Sequence, residues 1–168
     1  MDYPTPEELD ALREHIREKL TDGPTVVLGV GNELRGDDAL GIRLAEGLEG
    51  RVDATVMVTH DVPENYAVRV ADMKPGLVLL LDAADMGLPV GSVRMILAEE
   101  VPAVPGGTHR PSLEMFAAFV RLEAGATTWL VGVQPDLSHL DMGAEMSPPI
   151  ARALPLIERA LVEALPPI

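Results

Sequence analysis

The fold is decided by one strand-to-helix junction, GVGNELRGDDALGIRLAEGL at residues 29–48. The run that leads into it, TVVLGVG at 25–31, is apolar and partly β-branched, which is typical of a buried strand. From Asp38 to Glu49 the apolar residues recur at helical spacing. Two adjacent carboxylates, Asp37 and Asp38, lie between these segments. The junction therefore predicts an α/β unit with acidic groups just beyond the end of a strand.

The rest of the chain repeats the alternation of strands and helices. Apolar segments predict further strands at 52–59, 77–85, 91–98 and 127–135. Helical patterns occupy 63–76, 111–125 and about 149–165, where Pro155 either kinks the last helix or marks its true start. We therefore expect a three-layer α/β/α sandwich around a five-stranded, mostly parallel sheet.

Two local patterns refine this expectation. The segment between the third and fourth predicted strands has no helical pattern, so we expect these two strands to pair antiparallel. Ahead of the first strand, Thr5, Pro6 and Glu8 have the spacing of a capping box at a helix start. We expect one domain over 1–168, with 1–23 as an N-terminal helical extension.

The composition excludes several classes of function. The formal net charge is −14, which disfavours binding to nucleic acid or to an anionic membrane surface. The absence of cysteine excludes a disulfide scaffold, a thiolate nucleophile and thiolate metal sites. We find no secretory signal pattern and no apolar run near the roughly 20 residues that span a bilayer. The expected location is the cytoplasm.

Three candidate site residues come from separate loops. In an open α/β sheet, ligands bind beyond the carboxyl ends of the parallel strands. Asp38 follows the first predicted strand and Asp82 ends the apolar part of the third, so both should lie at the same rim. His109, in GGTHRPS, is a third candidate. Two carboxylates and an imidazole leave coordination positions open, as functional metal sites do, and favour Ni, Zn, Mn or Fe(II).

Each candidate also has a structural explanation. Asp37 stands where an N-cap is favoured, and Asp38 stands where the helix dipole favours an acid. His109 precedes a predicted helix and could help to cap it. His60 follows the second strand and could reach the same rim, so the residues alone do not choose between the two histidines. Asp82 is the hardest to explain structurally, because it directly ends an apolar run.

We expect several other polar residues to have structural and not catalytic roles. Asp85 is expected to be a turn residue. His15, on the N-terminal helix, and His139, in a loop, are expected at the surface. Gly29 and Gly31 begin a dinucleotide-binding fingerprint, but Leu34 occupies its third glycine position. A nucleotide-binding domain is therefore only a third, weaker hypothesis.

These residues fall within a recognisable pair of signatures. GNELRGDD at 31–38 resembles the GNxLxxDD/E opening of the nickel–iron (NiFe) hydrogenase maturation endopeptidases, and LLLDAADMG at 79–87 resembles their second signature. VPENY, GTHRPSLEM and WLVGVQPDL are similar to the subgroup that processes hydrogenase 3-type large subunits. The resemblance covers about residues 25–165 and leaves out the N-terminal helix.

The resemblance implies an endopeptidase that cuts the C-terminal extension from a hydrogenase large-subunit precursor after nickel insertion. It implies that Asp38, Asp82 and His109 contact the metal and carry catalysis, which favours His109 over His60. The nickel would be supplied by the substrate, and no permanently bound metal is expected. Gly31, Asn32 and Asp37 are expected to line the loop that meets the substrate. We expect a monomer or weak homo-oligomer.

The sequence departs from the family pattern at two places. Ala39 follows the acid pair where glycine is usual. The region after the second strand reads Val58-Thr59-His60-Asp61, where the family has an Asp-Gly-Gly element. Loss of those glycines would reshape the pocket for the substrate tail, with His60 as an added site group. The alternative function is therefore a non-catalytic, metal-sensing binder or chaperone of a large subunit that has lost turnover.

Overall fold

A five-stranded mixed sheet runs through the protein in the order β2-β1-β3-β5-β4. The computed structural model describes residues 1–101 and 110–168. The strands are β1 (Thr25–Val30), β2 (Thr55–His60), β3 (Leu77–Ala83), β4 (Val93–Leu97) and β5 (Thr128–Val133). The pairs β1–β2, β1–β3 and β3–β5 are parallel, and β4–β5 is antiparallel. The predicted α/β fold with one antiparallel strand is confirmed.

Helices cover both faces of this sheet. They are α1 (Pro6–Lys19), α2 (Leu40–Leu48), α3 (Ala67–Asp72), α4 (Arg110–Ala124) and α5 (Pro148–Ala164). Helices α1, α2 and α5 share one apolar core, and α3 and α4 share the other. Within the described residues, no helix has the length and apolar character needed to cross a membrane.

Alternate side chains along each strand point into the two cores on opposite faces of the sheet. Leu79 and Leu81 of β3 point into the core under α2 and α5, whereas Val78 and Leu80 point into the core under α3 and α4. All four side chains are buried, as expected for a parallel strand covered on both faces. Burial of each such side chain contributes about 1.5–3 kcal/mol, so the central strands are the best stabilised part of the fold.

Helix α1 begins as its sequence predicts. The Glu8 backbone N–H donates to Thr5 Oγ1 at 3.1 Å, and the Thr5 N–H donates to Glu8 Oε1 at 2.9 Å, so the capping box is confirmed. The Glu8 carboxylate also pairs with Arg94 of β4, which ties the helix start to the edge of the sheet. His15 is half-buried against Trp129, with ring centroids 5.0 Å apart, so the expectation of a surface position was wrong.

The antiparallel strand has a different neighbour from the predicted one. Strand β4 pairs with β5, which lies between β3 and β4, so the predicted β3–β4 pair was wrong although the strand direction was right. Residues 84–92 pass over the end of β5, where Gly91 N–H donates to the Gln134 carbonyl at 2.9 Å. Such a connection can span the roughly 10 Å between strands that are two positions apart.

Two helical segments differ from their predicted bounds. The segment predicted at 63–76 starts as the 3-10 turn Pro63–Tyr66 and continues as α3 only to Asp72. Helix α5 starts at Pro148, so Pro155 lies inside it and does not mark its start. An interior proline removes one backbone hydrogen bond, and the apolar face of α5 in the core compensates for that loss.

Helix α2 lies directly on the backbone of β1 and β3. A Cβ at Gly41 would stand 2.1 Å from the Leu81 carbonyl oxygen and 2.4 Å from that of Val30. A Cβ at Gly29 would stand 2.6 Å from the Ala45 Cβ. Glycine at both positions therefore allows the helix to approach two strands at once, and this contact fixes the turn before α2 at the carboxyl ends of both strands.

We predict that Gly41→Ala lowers the free energy of unfolding by about 3 kcal/mol, because neither strand carbonyl can move away without breaking the sheet. Gly47→Ala, in the same helix, is the control. Its Cβ would meet only the end of the Glu158 side chain, which can shift by rotation, so higher helix propensity should make it neutral or stabilising. Urea unfolding measures both, and equal stability of the two variants would contradict the contact.

Candidate active site

Three loops meet at the carboxyl ends of the parallel strands. They follow β1 at 31–39, β3 at 84–92 and β5 at 134–147. The loop after β2 joins the same rim, because Gly31 N–H donates to the His60 carbonyl at 2.9 Å. This rim is where open α/β sheets place their ligands.

Asp38 is held in place by the residues just before it. It lies in the 3-10 turn Gly36–Ala39, is half-buried, and its Oδ2 accepts a hydrogen bond from Asn32 N–H at 3.0 Å. Gly31 has φ +144°, and a Cβ there would stand 2.0 Å from the Asp38 carbonyl oxygen. Gly31 and Asn32 thus set the position and orientation of the carboxylate.

Asp82 is buried inside the sheet beside that turn. Its residue is 1% exposed, and it stands opposite Gly132 in the β3–β5 register. The turn that carries Asp38 contacts β3, and Gly41, one helical turn after Asp38, rests on the carbonyl that precedes Asp82. The structure therefore brings Asp38 and Asp82 to one rim. A carboxylate buried to this degree requires specific compensation, which is typical of a functional position.

Asp37 has a different role from the predicted cap. Arg35 occupies the N-cap position of the turn and makes no side-chain cap hydrogen bond, so the capping interpretation of Asp37 was wrong. The buried Asp37 carboxylate accepts hydrogen bonds from Ser147 N–H and Ser147 Oγ, both at 2.7 Å, and from Asp136 N–H at 2.9 Å. It therefore joins the turn before α2 to the loop after β5 and to the start of α5.

Further hydrogen bonds join the same two loops. Gly143 N–H donates to the Leu34 carbonyl at 2.7 Å, and Arg35 Nε donates to the Leu140 carbonyl at 3.1 Å. Gly36 has φ +54°, and a Cβ there would stand 2.0 Å from the His139 carbonyl oxygen. We call residues 31–36 and 136–145 together the double loop, because these contacts make them one unit.

The loop after β3 is fastened by a residue that the sequence did not suggest. Gln134, nearly fully buried, accepts hydrogen bonds at Oε1 from Met86 N–H at 2.6 Å and Leu88 N–H at 3.3 Å. Its Nε2 donates to Asp85 Oδ1 at 3.1 Å. Asp85 also accepts from Gly87 N–H at 3.2 Å, so its prediction as a turn residue is confirmed. Gln134 could have been recognised in the sequence as a single amide side chain directly after the apolar strand β5.

Asp136 and His139 form a small polar cluster at the surface of the double loop. The Ser138 hydroxyl and backbone N–H both donate to Asp136, which holds the pKa of that carboxyl below its usual range. His139 Nδ1 lies 3.2 Å from Asp136 Oδ2. A lowered pKa stabilises the fold at pH values above the ordinary 3.8, and this contribution is lost as the pH falls through the lowered value. The gain is small because the group is solvated.

His60 occupies a backbone conformation that suits glycine. Its φ is +54°, in the left-handed region, and its side chain is exposed. The contact of its carbonyl with Gly31 holds it there, and Thr59 Oγ1 donates to the Gly29 carbonyl at 3.2 Å. The chain thus keeps a glycine-like turn at this rim without the glycine of the family pattern.

The third predicted metal contact, His109, lies outside the described residues, so its role stays a prediction. Across 1–101 and 110–168, no group of three or more histidine, aspartate or glutamate side chains is arranged to hold a metal ion. Of the three predicted metal contacts, the described residues include Asp38 and Asp82, and their role as ligands also stays a prediction.

The sequence is similar to those of known proteins. Residues 42–164 match the hydrogenase maturation protease family. The hydrogenase 3 maturation protease of Escherichia coli is 32% identical over 115 residues, which cover 67% of this chain and 73% of that protein.

Solved structures agree. The NiFe hydrogenase maturation protease HycI of Thermococcus kodakarensis superposes with a TM-score of 0.79 at 26% identity, covering 90% of this chain and 98% of that one. The hydrogenase maturating endopeptidase HybD of E. coli gives 0.68 at 25% identity, covering 82% and 90%.

The α/β fold is shared with solved proteases, and the family match places the chain among hydrolases of the endopeptidase class. The chain belongs to the hydrogenase maturation protease family. The resemblance carried by the two signatures is therefore confirmed at the level of family, fold and enzyme class.

We predict that Asp37→Asn lowers the free energy of unfolding by about 3 kcal/mol, because one acceptor oxygen becomes a donor facing buried N–H groups. Ser147→Ala should cost about 1 kcal/mol, and the double variant should cost less than the sum of the two. The exposed Asp22→Asn is the control. Urea unfolding gives all values, and strict additivity of the two changes would contradict the contact.

We predict that His60→Gly changes the free energy of unfolding by less than about 1 kcal/mol, because relief of the left-handed strain offsets the greater freedom of glycine in the unfolded chain. His60→Val should be clearly destabilising. Lys74, with φ +50° at the opposite end of the sheet, offers a matched control as Lys74→Gly. Thermal unfolding compares the three, and a large loss in His60→Gly would show that the imidazole itself stabilises the fold.

Proposed function

We propose that this protein is a nickel-dependent endopeptidase that removes the C-terminal extension of a NiFe hydrogenase large-subunit precursor after metal insertion. The observation that supports it is the family match over residues 42–164, combined with the placement of Asp38 and Asp82 at one rim. The proposal locates the reaction in the cytoplasm and needs only a monomer or weak homo-oligomer.

The donor set is suited to recognition of a nickel ion that the substrate carries. Asp38 and Asp82 supply carboxylate oxygens, and His109 would supply an imidazole nitrogen. Oxygen and nitrogen donors suit Ni²⁺, and three protein ligands leave positions for groups of the precursor. Because the nickel arrives with the substrate, no permanently bound metal is expected.

The two acids have different surroundings, which supports different roles. Asp82 is almost fully buried, which suits a group that meets only the ion. Asp38 is half-buried, so water can reach it, and the Asn32 N–H fixes its orientation. Asp38 is therefore the better candidate for the general base that takes a proton from the attacking water. The nickel of the substrate would polarise the scissile carbonyl or acidify that water.

This arrangement makes cleavage conditional on nickel insertion. A precursor without nickel would bring no ion for the two carboxylates to bind, so its docking would lack that contribution to the binding free energy. Discrimination then comes from the difference in affinity between loaded and empty precursor. The chain has no cysteine, so attack by water is favoured over a thiol acyl-enzyme.

We predict that Asp38→Asn and Asp82→Asn each reduce cleavage of nickel-loaded precursor by at least about 100-fold, the usual scale for loss of a general base or of a metal contact. Mass spectrometry of the precursor should show a shortened product with the wild-type protein and with Asp22→Asn, and no product from nickel-free precursor. Full activity in both rim variants would exclude this mechanism.

A second function is favoured by the glycine-poor turn after β2. If His60 blocks the site of the substrate tail, the protein would bind a nickel-loaded large subunit without cutting it. Binding without a change in precursor mass would support this alternative. With folding matched, a change of turnover in His60→Gly but not in Lys74→Gly would assign the imidazole to the site.

A further inference from the structure

The double loop carries three large apolar side chains that are exposed to solvent. Leu34 is 62% exposed, Met142 is 65% exposed and Leu137 is 56% exposed. Leu34 and Met142 belong to backbone segments that the hydrogen bond from Gly143 N–H to the Leu34 carbonyl joins at 2.7 Å. Exposure of large apolar groups from two chain segments at one place marks an interaction surface more strongly than isolated exposed residues do.

The double loop is fixed before any partner arrives. The buried Asp37 carboxylate accepts from Asp136 of the double loop and from Ser147 at the start of α5, which anchors the double loop to the core. The bond from Arg35 to Leu140 joins its two segments to each other. A surface that is already ordered loses little conformational entropy on binding. This favours a recognition surface over a loop that rearranges.

Acidic residues lie on the same double loop as the apolar groups. Glu33, Asp141 and Glu145 are exposed on the same double loop, and the chain carries a net charge of −14. An apolar centre with a charged rim is the usual anatomy of a protein interface, in which methionine is enriched. The complementary partner surface is an apolar segment flanked by lysine or arginine.

We infer that the double loop is the docking surface for the hydrogenase large-subunit precursor, which it contacts through an apolar segment flanked by basic residues. This inference rests on the proposed function for the identity of the partner. Its location follows from continuity with the site, because Leu34 lies in the same loop as Asn32 and Asp38. Docking there would bring the precursor's metal region to the two rim carboxylates.

The test compares Leu34→Ser and Met142→Ser with Leu122→Ser. Leu122 is 84% exposed on α4 and lies outside the double loop. With nickel-loaded precursor, each double-loop variant should raise Kd and KM by about tenfold, from the loss of one buried apolar side chain, with kcat changed less than twofold. Leu122→Ser should behave as the wild type. All three should melt within a few degrees of the wild type.

The acidic rim gives an independent measurement. Asp141→Asn combined with Glu145→Gln should slow association with the precursor at low salt and flatten the dependence of the rate on ionic strength, because the steering charges are removed. Unchanged rates at every salt concentration would overturn the charge complementarity in the inference.

Binding and cleavage are measured separately, by calorimetry and by mass spectrometry. If the wild type binds loaded precursor without cutting it, the endopeptidase proposal fails, and weaker binding of the double-loop variants still supports the surface. If those variants bind as tightly as Leu122→Ser while cleavage is normal, the surface is overturned and the endopeptidase proposal stands. If the wild type binds no precursor, both fail.

Discussion

The contact between helix α2 and the backbones of β1 and β3 determines which residues meet at the candidate site. Glycine at 29 and 41 removes the side chains that would separate the helix from the strands. The turn before α2 is consequently pressed against the ends of both strands, and Asp38 comes to the same rim as Asp82. A helix held a few ångströms further away would leave the two acids on different sides of a solvent gap.

Asp37 completes this arrangement from the other side. Adjacent carboxylates in a sequence suggest a shared task, but here their surroundings separate them. Asp37 is buried and accepts three hydrogen bonds from distant segments, whereas Asp38 is half-buried and is oriented by its own loop. Asp37 therefore joins the segments that surround the candidate site, and Asp38 is accessible to solvent at its edge. The exposed apolar side chains of the double loop lie on these same segments.

Periodicity was sufficient for the alternation of strands and helices, because buried strands and amphipathic helices leave a local pattern. Periodicity failed where the structure depends on contacts between residues that are far apart in the sequence. The position of β5 between β3 and β4 depends on a connection that passes over a strand end. The partners of Asp37 lie 99 and 110 residues away, and no spacing rule links Gly36-Asp37 to Asp136 or Ser147. Asp82 was identifiable because an acid that ends an apolar run conflicts with its neighbours.

The link between Asp37 and Ser147 also has a consequence for synthesis on the ribosome. Contacts that close a loop of 110 residues carry a greater entropic cost than local contacts, and they favour slower folding. A nascent chain can pair its first strands before it is complete. It cannot order the double loop beside Asp38 until Ser147, at the start of α5, has emerged. A partly made chain that ends before Ser147 therefore lacks the hydrogen bonds that hold Asp37 and the double loop together, even where its first strands have formed.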